Sequence, residues 1–146
     1  MKKIAIFGSG YVGLSLAVTL AETNKVSLYD IDQDRLAIIE KGNMPFYDKD
    51  GDIFKKRFKK IILKNNLTSK PSYDYDYYFL CVPTNFNEEK GFFDTSILED
   101  LTDDIIKNSD KSHIIIKSTC PIGFTETLNK RYETQRILFS PEFLRE

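Results

Sequence analysis

The first thirty residues constrain the fold of this chain more than any other stretch. A short apolar run at residues 3–7 is followed by Gly8-Ser9-Gly10-Tyr11-Val12-Gly13 and then by an apolar segment of helical character at residues 14–20. A second apolar run ends at Asp30. Strand, glycine-rich turn, helix, strand and acid follow one another in the order of a βαβ unit that binds a dinucleotide.

Each glycine and the acid of this stretch suit a particular role in dinucleotide binding. Gly8 permits a tight turn, Gly10 lets the backbone approach a pyrophosphate, and Gly13 lets the helix pack close to the strand. Phosphates would then meet backbone N–H groups at the positive end of the helix. Asp30 follows Gly13 by 17 positions, near the ~20-residue spacing of an acid that accepts from a ribose 2′-hydroxyl. The alternative is a glycine-rich turn with only a packing role.

Composition narrows the class of protein. A chain of 146 residues with a net charge of −1 fits one soluble domain, and it gives no reason to expect nucleic acid or an anionic membrane as a partner. The N-terminal Met-Lys-Lys and the apolar run after it superficially resemble a secretory signal, but Gly8 and Gly10 interrupt that run. Cys81 and Cys120 share no metal-ligand spacing. We therefore expect reduced core thiols, no metal site and a cytoplasmic protein.

Apolar runs and helical patterns alternate along the rest of the chain. The helix at 53–63 carries five cations, which we interpret mainly as a solvated face, and residues 83–91 form a long loop. The sequence predicts an α/β fold of the Rossmann type, a doubly wound and mostly parallel sheet with helices on both faces. Helices are predicted at 31–40, 53–63, 94–107 and 124–132, and strands near 67–69, 77–82, 113–117 and 136–139.

For two of these helices the sequence also predicts the capping residues and the buried face. The helix at 31–40 has Asp32 as its expected N-cap and Gly42 as its stop, with Leu36 and Ile39 toward the sheet. The helix at 94–107 has Asp94 or Thr95 as its cap. Its apolar face is expected to hold Ile97, Leu98, Leu101 and Ile105.

Three predicted strands end in distinctive loops, at residues 8–13, 82–85 and 118–123. Because parallel strands share one carboxyl edge, these loops should open on the same edge, where ligands bind in open α/β sheets. Arg35 is placed either near the adenosine side of a cofactor or as a solvated helix charge. The sequence leaves these two alternatives open.

Four motifs carry a resemblance to a known family. They are residues 8–17, Val-Pro-Thr-Asn at 82–85, Lys-Ser-Thr-Cys-Pro-Ile-Gly at 117–123 and Ser-Pro-Glu-Phe-Leu-Arg-Glu at 140–146. Over residues 2–146 the chain resembles the UDP-glucose/GDP-mannose dehydrogenase family, and within it the bacterial UDP-glucose 6-dehydrogenases. The resemblance implies NAD as cofactor and UDP-glucose as substrate of a homodimer. It also implies oxidation of the sugar C6 alcohol to a carboxylate in two hydride transfers, through a cysteine thiohemiacetal and thioester.

The resemblance also implies roles by position. Thr119 corresponds to a threonine that positions a water near the nicotinamide, and Glu146 to a carboxylate near the reacting carbon. Phe143 and Leu144 would offer backbone to the sugar nucleotide. The implied catalytic residues are Thr119, Glu142 and Glu146; the cofactor-binding residues are Gly8, Ser9, Gly10, Tyr11, Val12, Gly13, Asp30, Arg35, Thr84, Thr119 and Glu146; the substrate-binding residues are Glu142, Phe143, Leu144 and Glu146.

One departure limits the resemblance. The family's nucleophilic cysteine, active-site lysine, central helix and UDP-binding C-terminal domain have no counterpart in these 146 residues. Cys120 occupies a variable position of its motif, so we do not expect it to be the nucleophile. We expect residues 1–146 to be the NAD-binding half of the enzyme, which binds NAD without turning over UDP-glucose.

Two other functions stay open at this point. One is a UDP-N-acetylhexosamine 6-dehydrogenase of the same family, and the other is a non-enzymatic Rossmann nucleotide sensor. A sensor would not need the motifs at 117–123 and 140–146. NAD is expected over NADP because the Asp30 carboxylate repels a 2′-phosphate, and Arg35 is the residue that could reverse this preference.

Overall fold

The computed structural model describes residues 1–46, 58, 66–68, 72–88 and 91–142. They form strands and helices, including a first βαβ unit as the sequence predicted. In chain order they are β1 Lys3–Phe7, α1 Tyr11–Leu20, β2 Lys25–Tyr29, α2 Gln33–Glu40, β3 Asn66–Thr68, β4 Tyr77–Leu80, β5 Phe86–Asn87, β6 Phe92–Phe93, α3 Ser96–Asn108, β7 His113–Ile116, α4 Phe124–Arg131 and β8 Ile137–Phe139.

Six strands form one sheet in the order β3-β2-β1-β4-β7-β8. Every neighbouring pair is parallel, with Lys3 opposite Lys25 and Ile4 opposite Tyr77. The chain winds outward from β1 to β3 and then returns to place β4 on the other side of β1, so the strand order reverses there. The carboxyl ends of all six strands therefore lie on one edge, with a crevice at the reversal point.

The core lies on both faces of this sheet. Ile4 and Ile6 of β1 join a cluster with α1 and α2, whereas Ala5 and Phe7 join a second cluster with α3 and α4. Alternate residues of a strand point to opposite faces, so the two helix pairs cover opposite sides. The prediction of an α/β doubly wound parallel sheet with helices on both faces is confirmed.

The predicted N-cap of α2 is confirmed, whereas the predicted buried face of α3 is only partly right. Asp32 caps α2, and its Oδ1 accepts from the Arg35 N–H at 2.9 Å. The expectation that Ile97 faces the core is wrong, because its side chain is 47% exposed. The buried stripe of α3 runs through Leu98, Thr102 and Ile105, a spacing of four and three residues, and Ile97 lies on its border.

The loop predicted at residues 83–91 contains one short strand, β5, and is followed by another, β6. β5 pairs antiparallel with β6, with Phe86 opposite Phe93, and these two rings meet edge to face at 5.1 Å. Strands of two residues are too short for a periodic signal. The predicted helix at 53–63 lies outside the described residues apart from Phe58, which is helical and fully buried. None of the helices in the described part of the chain has the length and apolar character to cross a membrane.

Candidate functional site

The glycine-rich turn after β1 is compressed between α1 and the end of β4. Gly8 has a φ of +98°, a region that favours glycine, and its N–H donates to the Tyr29 carbonyl at 2.8 Å. A Cβ on Gly8 would overlap the Cys81 carbonyl, and a Cβ on Gly13 would overlap the Gly8 carbonyl oxygen. Both glycines are therefore required by close backbone contacts within the chain itself.

Gly10 is different, because open space surrounds it. A Cβ on Gly10 would meet no atom within 4 Å, and the φ of Gly10, −68°, suits any residue. α1 begins at Tyr11, no side chain of the described residues caps it, and its first turn holds no acid. The first N–H groups of a helix lack intrahelical partners. Free donors, a positive helix end and adjacent space together fit the pyrophosphate of a dinucleotide.

The ring of Tyr11 packs on Phe46, with ring centroids 3.9 Å apart. Met44 and Phe46 also pack against the α1 side of the core. The segment after α2 therefore lies against the start of α1.

Asp30, at the end of β2, is bound to the glycine-rich turn. Its Oδ2 accepts from the Ser9 N–H at 2.6 Å and from the Ser9 hydroxyl at 2.5 Å, and its Oδ1 accepts from the Asp32 N–H at 2.9 Å. Burial by itself would raise the pKa of Asp30, but these hydrogen bonds and the Arg35 guanidinium outweigh it and hold that pKa below its ordinary value. Asp30 is therefore an ionised carboxylate at neutral pH.

Ser9 differs from its expected place among the cofactor-binding residues. It is fully buried, and both of its donors point to Asp30 rather than to a ligand. A carboxylate has about four lone-pair positions, so Asp30 keeps acceptor capacity toward a ribose. The sequence signal for this contact was a hydroxyl residue between two glycines with an acid at the end of the next strand.

Arg35 lies beside the same acid. Its Nη1 is 3.7 Å from Asp30 Oδ2 and its Nη2 is 3.5 Å from Asp32 Oδ2. The side chain is 40% exposed, so the ion pairs are partly solvated and individually weak. Arg35 is thus paired with two acids of its own chain near the end of β2, and both alternatives for its role stay open.

The other half of the edge is formed by the loops after β4 and β7. The Ser118 hydroxyl donates to the Val82 carbonyl at 2.6 Å and joins these two loops. Thr84 is partly buried and Thr119 is exposed. The sequence did not predict this contact of Ser118, although Ser118 belongs to the motif at 117–123.

Lys117 and Glu142 form a second contact that the sequence did not indicate. Lys117 Nζ lies 3.4 Å from Glu142 Oε2 and 3.4 Å from Ser140 Oγ. The Lys117 side chain is 10% exposed, against 45% for Glu142. The Ser140 N–H also donates to the Ile116 carbonyl at 2.9 Å. The segment after β8 is thus held against the end of β7, whereas Phe143, Leu144 and Glu146 lie outside the described residues.

Both cysteines are free thiols. Burial raises the pKa of Cys81 to about 12, and the Lys117 ammonium opposes this only in part. Burial also raises the pKa of Cys120, and the Glu126 carboxylate adds to the effect. Neither thiol is a ready nucleophile at neutral pH. In the part of the chain that the structure describes, no group of three or more His, Cys, Asp or Glu residues could hold a metal ion.

The parallel sheet, the uncapped helix after a glycine turn and the acid at the end of β2 define a dinucleotide-binding domain. Comparison with known proteins gives the family. The model of the UDP-glucose/GDP-mannose dehydrogenase family, NAD binding domain, matches residues 2–146. The chain belongs to this family as its NAD-binding domain, and NAD is its cofactor.

Individual relatives agree with this family. The chain is 39% identical to a UDP-glucose 6-dehydrogenase of Campylobacter jejuni subsp. jejuni serotype O:2, over 99% of this chain and 37% of the relative. It is also 39% identical to a UDP-glucose 6-dehydrogenase of Streptococcus pneumoniae, over 99% of this chain and 36% of the relative. The chain therefore spans little more than a third of the length of these relatives.

Solved structures share the fold. A UDP-D-ManNAc dehydrogenase from Pyrococcus horikoshii superposes with a TM-score of 0.83 at 24% identity, over 98% of this chain and 37% of that one.

Proposed function

We propose that residues 1–146 form the NAD-binding half of a UDP-glucose 6-dehydrogenase, which converts UDP-glucose, two NAD⁺ and water into UDP-glucuronate, two NADH and protons. The observation that carries the proposal is the 39% identity to UDP-glucose 6-dehydrogenases over 99% of the chain. The convergence of loops 8–13, 82–85 and 118–123 at one sheet edge supports it. The whole protein is proposed to be a cytoplasmic homodimer that acts on UDP-glucose.

The roles proposed for the phosphate and adenosine end follow from its geometry. The N–H groups at residues 10–13 bind the pyrophosphate, because they lack intrahelical partners and face open space at Gly10. Asp30 accepts from the adenosine ribose, since it stays ionised. Arg35 lines the adenosine side of the same site.

The roles proposed for the nicotinamide end follow from the loops after β4, β7 and β8. When bound, NAD⁺ supplies the hydride acceptor. Thr84 lies beside the nicotinamide, and the Thr119 hydroxyl holds a water without adding charge. Glu142 is available to accept a proton from that water, as a positioned carboxylate can. Glu146 is assigned to both cofactor and substrate, and Phe143 and Leu144 to the sugar nucleotide.

Binding without turnover is the first test of this proposal. The 146-residue chain should bind NAD⁺ and NADH in calorimetric titration and show no UDP-glucose-dependent NADH formation at 340 nm. The reason is that both cysteines are only partly exposed and have raised pKa values, so the thiol chemistry of the oxidation lacks its nucleophile. NADH formation by the purified chain would refute the expectation, and a wild-type chain that binds no dinucleotide would refute the proposal itself.

Cofactor choice is the second test. The Asp30 carboxylate should repel a 2′-phosphate, so the wild-type chain should bind NAD⁺ at least tenfold more tightly than NADP⁺, a difference of about 1.4 kcal/mol. Asp30→Ala should narrow that ratio, with Arg35 left to attract the 2′-phosphate. Tighter binding of NADP⁺ than of NAD⁺ by the wild type would reverse the assignment.

A UDP-N-acetylhexosamine is the alternative substrate. The Pyrococcus horikoshii dehydrogenase is named for such a sugar, UDP-D-ManNAc, but that likeness is one of fold. The higher identity to UDP-glucose 6-dehydrogenases favours UDP-glucose. The test is to measure kcat/KM for both sugar nucleotides with the full-length natural protein that contains this sequence. The substrate with the higher kcat/KM is the preferred one.

A further inference from the structure

The ion pair between Lys117 and Glu142 has a consequence for the cofactor. Lys117 directly follows β7, two residues before Thr119, and its ammonium contacts the segment that follows β8. The Lys117 side chain is 10% exposed, and a charged group at a largely buried side chain is costly unless it is paired. Glu142 Oε2, at 3.4 Å, supplies the opposite charge, and the Ser140 hydroxyl supplies an acceptor.

The other group that faces Lys117 carries no charge. Burial keeps Cys81 a neutral thiol with a pKa of about 12, so it does not offset the ammonium. Among the described residues, the Glu142 carboxylate is the ion-pair partner of the Lys117 ammonium. The pair stands at the carboxyl edge, after β7 and β8, where the nicotinamide is proposed to bind beside Thr84 and Thr119.

We propose that Lys117 sets the relative affinity of this site for the oxidised and the reduced dinucleotide by offsetting the negative charge of Glu142. The proposal rests on the proposed function, because it needs the nicotinamide at this edge. The nicotinamide ring of NAD⁺ carries a positive charge and that of NADH is neutral. A lone carboxylate nearby favours NAD⁺, a lone ammonium favours NADH, and the pair favours neither strongly.

This electrostatic role predicts effects of opposite sign from the two partners. Lys117→Met leaves the Glu142 carboxylate uncompensated, so the ratio of the NADH dissociation constant to the NAD⁺ dissociation constant should rise. Glu142→Gln leaves the Lys117 ammonium uncompensated, so the same ratio should fall. Each shift should be about three- to tenfold, as expected for a partly solvated unit charge several ångströms away. The double variant should return close to the wild-type ratio.

The experiment titrates NAD⁺, NADH and ADP-ribose into the wild-type chain and its variants by calorimetry. ADP-ribose lacks the nicotinamide, so its affinity should stay within about twofold in every variant if the effect is local to that ring. Lys117→Arg keeps the charge and should keep the wild-type ratio. Lys111→Met is the matched control, because Lys111 is exposed and lies just before the other end of the same strand.

The outcomes separate the two proposals. Equal weakening of NAD⁺, NADH and ADP-ribose in Lys117→Met, or shifts of the same sign in both single variants, would show a structural role and overturn the inference while leaving NAD binding intact. A wild-type chain that binds none of the three ligands overturns the proposed function and this inference with it. If Lys117→Met does not fold, the fall expected for Glu142→Gln tests the inference by itself.

Discussion

The two halves of the carboxyl edge are built differently. At the half proposed for the phosphates and adenosine, Ser9 gives both donors to Asp30, and the backbone of Gly8 is in contact with Gly13. At the half proposed for the nicotinamide, Thr119 is exposed and Glu142 is 45% exposed. In the first half, side chains and backbone are fixed by contacts within the chain, whereas the second half presents exposed side chains.

The difference explains what the chain is suited to do by itself. Ser9 and Asp30 satisfy one another's hydrogen bonds under burial, which preorganises the turn before any ligand arrives. The loops of the second half are joined by contacts such as the bond from Ser118 to the Val82 carbonyl. Substitutions of the tightly packed Gly13 or the hydrogen-bonded Ser9 should therefore change folding, whereas substitutions of exposed groups in the second half should leave folding unchanged.

The largest effect is expected at Gly13. Gly13→Ala places a Cβ where the Gly8 carbonyl oxygen lies, and relief requires α1 to move away from the turn. Overpacking of this kind should lower the free energy of unfolding by about 3 kcal/mol, measured by urea denaturation. Gly10→Ala, on the same turn but with open space around its Cβ, is the matched control. Equal midpoints for the two variants would contradict the tight packing.

Ser9→Ala should have the next largest effect. It removes a buried hydroxyl that donates to an ionised Asp30 at 2.5 Å, a bond worth about 2 kcal/mol because its acceptor is charged. The folded pKa of Asp30 is depressed, so this stability is present above the unfolded value of about 3.9 and is lost as the pH falls through the folded value.

Ser9→Ala should raise that folded pKa. The stability difference from wild type is therefore greatest above about pH 4 and narrows below it, which urea denaturation at pH 7 and pH 3 measures. Ser96→Ala is the matched control, because Ser96 donates to Asp94 at 2.6 Å on the exposed surface and should cost less than about 0.5 kcal/mol. If the loss of stability in Ser9→Ala does not depend on pH, it does not come from the hydrogen bond to the Asp30 carboxylate.

Gly10→Ala should weaken binding without weakening the fold. Its Cβ enters the space beside the first N–H groups of α1, where the pyrophosphate is proposed to bind. The affinities for NAD⁺ and for ADP-ribose should both fall about tenfold, or 1.4 kcal/mol, while the urea midpoint stays at the wild-type value. Unchanged affinity would place the phosphates elsewhere.

The sequence predicted the first half of the edge better than the second for a physical reason. Gly8, Gly13 and Asp30 lie in one βαβ unit, so their spacing along the chain determines their spacing in the fold. The contact of Lys117 with Glu142 spans 25 positions and depends on which strands are neighbours. The hairpin of β5 and β6 and the exposure of Ile97 were missed because short strands and stripe borders give no periodic signal.

Thr119→Ala should have the smallest effect on folding and gives the clearest contrast with its neighbour. Thr119 is exposed, so its loss should change the free energy of unfolding by less than about 0.5 kcal/mol. Ser118→Ala, one residue earlier, removes a buried donor to the Val82 carbonyl at 2.6 Å and should cost about 1 kcal/mol. Affinity for ADP-ribose should not change in Thr119→Ala, because that ligand has no nicotinamide. The contrast between the two halves would be contradicted if Thr119→Ala lowered the free energy of unfolding as much as Ser118→Ala does. A loss of affinity for ADP-ribose in Thr119→Ala would contradict it as well.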